Sequence, residues 1–168
     1  MALALQLNGA RLEKEVALLP PRIALGASMV YHGIGKLRPG APEQVGQFFE
    51  NVGIRPGKKL AIAAGLAEAF AGVGAILGIW TRPAALAVVV TQAVALAKVH
   101  RDKGFDITKG GFEYNIALMC IAAGLFIAGP GAFSAHEGIE RLLEGSGPRK
   151  VLRKIRPSPA LRFIKLLK

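Results

Sequence analysis

Six polar side chains are the candidates for chemistry in this chain. Three lie in its most polar central run, Lys98 to Asn115 (KVHRDKGFDITKGGFEYN), and three lie in or beside apolar stretches. Histidine and glutamate exchange protons, lysine binds anions, and histidine or tyrosine can hydrogen-bond a quinone-like carbonyl. We therefore predict a catalytic pair, Glu68 and His100, and four binding residues, which are His32, Lys36, Glu113 and Tyr114.

Four windows of the sequence are nearly free of charge: Val16 to Leu37, Leu60 to Trp80, Pro83 to His100, and Tyr114 to Gly129. About 20 apolar residues suffice for a helix to cross a bilayer. The 21 glycines are typical of helices that approach closely in lipid, and Gly74 and Gly78 have the GxxxG spacing of such a contact. The pattern predicts an all-α fold, an integral membrane four-helix bundle.

The segments outside these windows have their own patterns. Between the first two windows, Val45, Phe48, Phe49 and Val52 form the apolar stripe of a short amphipathic helix. Such a helix can lie in the membrane interface or cap the bundle. We divide the chain into an N-terminal lead (1–15), a membrane domain (16–131) and a basic amphipathic C-terminal tail (132–168).

Antiparallel spans with short connections place all six candidates in the same half of the bundle. Glu68 lies about 12 Å from that face, at 1.5 Å of helix rise per residue. The opposite end offers only Arg22 and Arg82, and Arg22 is expected to snorkel towards water. This asymmetry indicates one polar site near one face of the membrane.

Structural alternatives stay open for several of these residues. Glu68 and Lys36 could form a buried ion pair, and Thr91 and Gln92 could hydrogen-bond between helices. Two histidines and two carboxylates could hold a metal, but their spacings match no metal motif, so none is expected. Cys120 is the only cysteine, which excludes an internal disulfide, and we interpret it as a small core residue.

The formal net charge of +11 is concentrated in the tail, after Arg149. A basic tail beside membrane spans is expected to meet anionic lipid headgroups or a protein partner rather than nucleic acid. The same excess of Lys and Arg predicts, by the positive-inside rule, that both termini are cytoplasmic.

Three motifs together resemble the DoxX family of small bacterial membrane proteins. They are HGIGK at 32–36, AAGLAEAFAGVGAILGIWTRPAAL at 63–86, and a block in which His100-x3-Gly104-Phe105 is followed by GGFEYN at 110–115. The resemblance covers about residues 16–131 and implies a four-helix bundle in the bacterial inner membrane. It also implies similarity to a membrane subunit of thiosulfate:quinone oxidoreductase, with the six candidates at the family's recurrent polar positions. The longer, more basic tail departs from the family pattern.

These implications favour a membrane subunit in quinone-linked redox chemistry, acting on sulfur compounds or in oxidative or thiol stress. The sequence has one cysteine and no haem or flavin motif, so electrons must pass through bound quinone or a redox partner's cofactor. Whether the chain is itself an enzyme is left open. The alternatives are a non-catalytic membrane scaffold that docks a soluble enzyme and a small-molecule carrier.

Overall fold

The regular structure of this protein is helical. The computed structural model describes residues 12–144 and 159–166, and no strand occurs among them. The α-helices there are α1 (Leu19–Leu37), α2 (Ala41–Asn51), α3 (Gly57–Leu77), α4 (Thr81–Ala95), α5 (Glu113–Ala128), α6 (Ala135–Glu144) and α7 (Pro159–Leu166). The all-α prediction is confirmed. The predicted lead and the basic tail fall partly outside the described residues.

Short irregular helices fill the polar run between α4 and α5. The chain leaves α4 as a π-helix, Leu96–His100, and continues as the 3-10 turn Arg101–Lys103. A second 3-10 turn, Ile107–Lys109, precedes α5. π-helical segments are rare and often mark functional sites. The end of α4 is therefore a candidate part of the functional site.

Glycines allow α1 and α3 to pack with their backbones in contact. A Cβ added to Gly26 would lie 2.7 Å from the Gly72 carbonyl oxygen, and one added to Gly33 would lie 2.7 Å from that of Gly65. Both pairs are seven residues apart along their helices, which matches two helical turns. This glycine seam, defined by these four residues, fixes how α1 lies on α3.

Four helices share one hydrophobic core. α1 packs on α3, α3 on α4 and α4 on α5. The buried cluster takes Leu25 and Met29 from α1, Ala71 from α3, and further residues from α4 and α5: Ala84, Ala85, Val88, Leu118, Ala122 and Leu125. The amphipathic helix α2 lies against α3 outside this core.

The large apolar side chains of α3 point outward and the small or polar residues point inward. Leu66, Phe70 and Val73 are 57%, 43% and 49% exposed, whereas Gly65 and Glu68 are buried. A core helix of a water-soluble protein has the opposite arrangement, with its large apolar side chains buried and its polar side chains exposed. Small residues between helices and large apolar residues outside are typical of helices in lipid.

Two helices are long and apolar enough to cross a membrane, Gly57–Leu77 and Thr81–Lys103. Only 39% and 22% of their most apolar windows are buried in the protein, which leaves most of each helix for lipid. Glu113–Ala128 is apolar but shorter, at 16 residues. Helix length and composition therefore support two of the four predicted membrane spans.

Two expectations about single residues are wrong. Arg22 does not snorkel: it is 2% exposed and donates to the carbonyls of Ala75, Ile76, Pro130 and Phe133. The last carbonyls of α3 lack intrahelical partners, and the guanidinium satisfies two of them. Cys120 is exposed on α5 and is not a core residue.

The described parts of the tail fold against each other. Leu161 of α7 is fully buried, and Lys165 forms ion pairs with Glu144 at 3.0 Å and Glu140 at 3.4 Å. Its hydrogen bond with Glu144 raises the pKa of Lys165 above the usual value for lysine. Leu142 and Leu166 remain 82% exposed, so this α6–α7 unit keeps an apolar outer surface.

Candidate functional site

A cavity of about 630 Å³ lies at the end of the helix core where the sequence predicts the polar site. It is bounded by the end of α1, α2, the first half of α3, the second half of α4 with its π-helix, the loop at 107–111 and the start of α5. Its polar lining residues are His32, Lys36, Glu68, Thr91, Gln92, His100, Tyr114 and Asn115. Most of the remaining wall is apolar, including Leu60, Ala63, Ala64, Ala67, Val90, Val94 and Val99.

An ion pair between α1 and α3 forms part of the cavity wall. Lys36 Nζ lies 2.5 Å from Glu68 Oε2, and the two side chains are 21% and 6% exposed. The glycine seam brings the two side chains together, because Gly65 allows α1 to approach α3 closely beside Lys36. A Cβ added to Gly65 would lie only 3.1 Å from the Lys36 Cβ. Lys36 also donates, at 3.4 Å, to the His32 carbonyl one turn earlier. Glu68 Oε1 has no hydrogen-bond partner among the described residues.

The π-helix at the end of α4 places His100 in the wall opposite that pair. His100 Nδ1 lies 2.7 Å from the carbonyl oxygen of Gly110, which also lines the cavity. Gly110 has a φ of +77°, a left-handed conformation that glycine adopts without strain. The loop before α5 therefore holds the imidazole of His100 through the Gly110 carbonyl.

Hydrogen bonds within the loop fix this carbonyl. The backbone N–H of Phe112 donates to the Gly104 carbonyl at 3.0 Å, and that of Gly111 donates to the Asp106 carbonyl at 2.8 Å. Thr108 donates its hydroxyl and its backbone N–H to Asp106 Oδ1, at 2.7 Å and 2.9 Å. These two bonds hold the pKa of Asp106 below its usual range. The loop is a scaffold for the cavity rather than a simple connection.

The buried side-chain amides of Gln92 on α4 and Asn115 on α5 form a hydrogen bond in the cavity lining. Asn115 Nδ2 donates to Gln92 Oε1 at 2.8 Å, and Gln92 Nε2 reaches Met29 Sδ at 3.9 Å. Gln92 thus makes the predicted interhelical hydrogen bond, whereas Thr91 donates to the carbonyl of Val88 in its own helix. Asn115 is not among the predicted site residues, although a polar side chain inside an apolar span is a signal that could have found it.

The first turn of α5 faces α1 with its tyrosine. Tyr114 Oη donates to Ser28 Oγ at 2.7 Å, and its ring centroid lies 6.2 Å from that of His32. The neighbouring Glu113 does not line the cavity. Its carboxylate accepts a hydrogen bond from the Ile107 backbone N–H at 3.1 Å in an exposed position. Five of the six candidates therefore surround one space, and Glu113 lies outside it.

The helix α2 forms a roof that is fastened to the start of α3. A Cβ on Gly46 would lie 2.7 Å from the Lys58 backbone nitrogen, and Glu50 Oε1 accepts from the Gly57 N–H at 3.2 Å. Lys58 pairs with Glu43 at 2.6 Å, and its hydrogen bond holds the pKa of that carboxyl below its usual range. Phe48 and Phe49 of α2 separate the cavity from a second one of about 350 Å³ beside α1.

The mouth of the main cavity lies on its apolar side. The exposed apolar side chains of its lining include Val90 at 55%, Ile107 at 48%, Val94 and Phe48 at 45%, and Leu60 at 37%. They come from α4, the loop before α5, α2 and α3, so an opening bordered by apolar side chains, with α2 and this loop at its edges, lies between α3 and α4. These are the two helices with the length and composition of membrane spans. An apolar chain could therefore enter from lipid.

A family model for DoxX matches residues 17–101, about half of the chain. This chain belongs to the DoxX family. DoxX proteins are generally membrane proteins, and with its apolar helices this chain is one too. The matched residues include four of the five cavity candidates, and Tyr114 follows them. Comparisons with curated proteins and with solved structures find no match.

This arrangement in the DoxX chain combines two environments. The lining of the cavity offers a carboxylate, an ammonium, two imidazoles and two amides, and the remaining lining side chains are mostly apolar. Ligand pockets of about 300–1,000 Å³ usually combine a mostly apolar lining with a few polar groups. The cavity suits an amphiphile with a polar ring and an apolar chain.

Proposed function

We propose that this DoxX protein binds a lipid-soluble quinone in the main cavity. It would serve as a membrane subunit in quinone-linked redox chemistry on sulfur compounds or in oxidative or thiol stress. The observation that carries the proposal is one cavity of about 630 Å³ with polar groups at its inner wall and an apolar mouth between α3 and α4. A quinone has the matching halves, a polar ring and an apolar chain.

Each polar residue has a distinct role in this proposal. Glu68 and His100 hold or accept protons at the ring, because carboxylate and imidazole both exchange protons near neutral pH when suitably placed. Lys36 and His32 orient a ring oxygen, and Tyr114 closes the same side. A bound quinone supplies the redox chemistry, which none of these side chains can perform.

A partner protein completes the proposed function. The chain has a single cysteine, and it is exposed on α5 away from the cavity-lining residues, so electrons need another source. We place that source in a soluble or membrane redox enzyme that forms a hetero-complex with this chain. The exposed apolar side chains of α6 and α7, Leu142 and Leu166, offer a surface for this contact or for lipid headgroups.

We place the protein in the bacterial inner membrane with both termini in the cytoplasm. The basic tail after Arg149 supports this orientation through the positive-inside rule. The cavity would then open near the outer face, because α1 and α4 end and α3 and α5 begin on that side.

The test is a titration of a short-chain benzoquinone into the protein in nanodiscs, followed by calorimetry, with empty nanodiscs as the blank for partition into lipid. Wild type is expected to bind saturably. Ala67→Phe places a ring in the cavity wall and is expected to weaken binding at least tenfold. The matched control is Leu66→Phe on the lipid-facing side of the same turn, which should bind like wild type.

Two results would contradict the proposal. One is wild-type protein that binds no more quinone than empty nanodiscs. The other is a variant pair in which Ala67→Phe and Leu66→Phe bind equally well. Either result would leave the scaffold or the carrier as the function to pursue.

A further inference from the structure

The donor groups of the cavity wall are mostly engaged with the protein itself. Asn115 donates to Gln92, Thr91 to Val88 and Tyr114 to Ser28. Lys36 commits two of its three N–H groups, to Glu68 and to the His32 carbonyl. Among the described residues, the donors left for a ligand are one N–H of Lys36, the His32 ring and the second N–H groups of the Gln92 and Asn115 amides, and none of the amide donors is charged.

The hydrogen bond of His100 determines which of its nitrogens carries a proton. The carbonyl oxygen of Gly110 only accepts, so the 2.7 Å contact requires the proton on Nδ1. In the neutral ring, Nε2 is then a bare acceptor. The ring lines the cavity, and Nε2 makes no hydrogen bond with the described residues.

Glu68 provides a second acceptor on the facing helix. Its Oε2 is paired with Lys36 Nζ at 2.5 Å. Its Oε1 is unpartnered within the described ranges, 12–144 and 159–166. A carboxylate oxygen accepts strong hydrogen bonds from hydroxyl groups. The cavity thus offers two unengaged acceptors from two elements.

We propose that this cavity binds the reduced hydroquinone more tightly than the quinone. A hydroquinone has two hydroxyl donors, which match Glu68 Oε1 and His100 Nε2, whereas a quinone has only carbonyl acceptors. The remaining N–H of Lys36 and the His32 ring still give the quinone donors, so both forms bind. The reduced form is favoured because only its hydroxyl groups can donate to Glu68 Oε1 and His100 Nε2. This inference rests on the proposed function, because it assumes that the cavity takes a quinone-type ring.

The experiment compares one short-chain benzoquinone with its own hydroquinone, under anaerobic conditions, in nanodiscs with the whole chain. Calorimetry gives a dissociation constant for each form, and empty nanodiscs correct for partition. We expect wild type to bind the hydroquinone at least tenfold more tightly, since each hydrogen bond to a charged group contributes about that factor or more.

Two variants remove one acceptor each. His100→Asn is expected to keep a donor for the Gly110 carbonyl through its amide while it loses Nε2. Glu68→Gln replaces one acceptor oxygen by an amide N–H. Each should weaken hydroquinone binding about tenfold and leave quinone binding within about twofold. Glu113→Gln is the matched control, because Glu113 lies outside the cavity, and both constants should stay unchanged.

The outcomes separate this inference from the proposed function. Binding of neither form by wild type overturns both. Saturable binding of both forms with equal affinity, or tighter binding of the quinone, overturns only the preference for the reduced form. A preference that survives in both His100→Asn and Glu68→Gln would show that these two acceptors do not cause it, and would overturn the inference as well.

Discussion

Each end of the helix core holds a cation, but the two cations have different kinds of partner. At one end Arg22 donates four hydrogen bonds to backbone carbonyls at 2.8–2.9 Å and is 2% exposed. At the other end Lys36 has one strong partner, Glu68, and borders a cavity of about 630 Å³. Arg22 does not line that cavity.

This difference separates a structural charge from a charge in a binding site. Arg22 ties α1 to the end of α3 and to the chain at 130–133, and four of its five N–H groups are engaged. It has little left for a ligand. The Lys36–Glu68 end keeps unpartnered atoms beside open space, which is costly unless a ligand or water uses them.

The largest expected effect is on stability at the Arg22 end. Arg22→Ala removes a donor from four carbonyls, of which only that of Ala75 keeps another among the described residues, the Gly78 N–H, and we expect it to lower the free energy of unfolding by about 3 kcal/mol or more. Arg22→Lys should recover only part of this, because an ammonium cannot reproduce the guanidinium fork. Thermal unfolding in detergent measures the loss, and protein that remains folded should bind quinone normally.

The glycine seam lies between the two ends of the core. A substitution in it should have the next largest effect on stability. In Gly33→Ala the added Cβ would lie 2.7 Å from the Gly65 carbonyl oxygen, so α1 must shift away from α3 at a cost of roughly 2 kcal/mol. Gly35→Ala on the same helix meets nothing within 4 Å and should be neutral or slightly stabilising. Equal melting temperatures for the two variants would contradict the seam.

A smaller effect is expected when the ion pair is removed. Lys36→Met leaves the Glu68 carboxylate unpaired and should cost about 1 kcal/mol, less than for a fully buried pair because the Lys36 side chain is 21% exposed. In the double variant Lys36→Met/Glu68→Leu, most of this stability should return, because apolar residues can replace a buried pair. Hydroquinone binding should nevertheless stay at least tenfold weaker than in wild type, because the acceptor at position 68 is gone. If binding returns together with stability, the pair is structural, like Arg22, and the comparison fails.

The smallest effect is expected in the loop that holds His100. Asp106→Ala removes the acceptor of both Thr108 hydrogen bonds and should weaken hydroquinone binding about twofold. The same change at the exposed Asp102 is the control. The pKa of Asp106 is lowered, so its contribution is present above the usual pKa of aspartate and is lost as pH falls through the lowered value. The variant and wild type should therefore differ at neutral pH and converge in acid.

The sequence carries enough information to predict where the polar groups meet. Short connections between apolar helices bring His32, Glu68 and His100 to one end whatever the details of packing. It could not separate Glu113 from Tyr114, since neighbouring helical residues point about 100° apart and only packing decides which one faces inward. Glu113 turns to the loop and Tyr114 turns to α1.

Contacts between distant parts of the chain were harder to predict. Arg22 looked like a residue that reaches water, but its partners are carbonyls 53 to 111 residues away in sequence, and carbonyls leave no signal in side-chain type. Gly74 and Gly78 had the familiar spacing, yet α1 meets α3 at Gly26, Gly33, Gly65 and Gly72. That seam uses a spacing of seven residues on both helices.

The most direct test of the central claim is photo-crosslinking with an azido-benzoquinone in nanodiscs, followed by peptide mapping. If the Lys36–Glu68 end of the core is the binding site, the label should fall on the cavity side of α3, at residues 60–67. It should also fall on α4 and its π-helix, at residues 90–99. Excess unlabelled quinone should compete it away. Label that falls mainly on the outward face of α3, at Phe70 and Val73, and that resists competition would contradict the account.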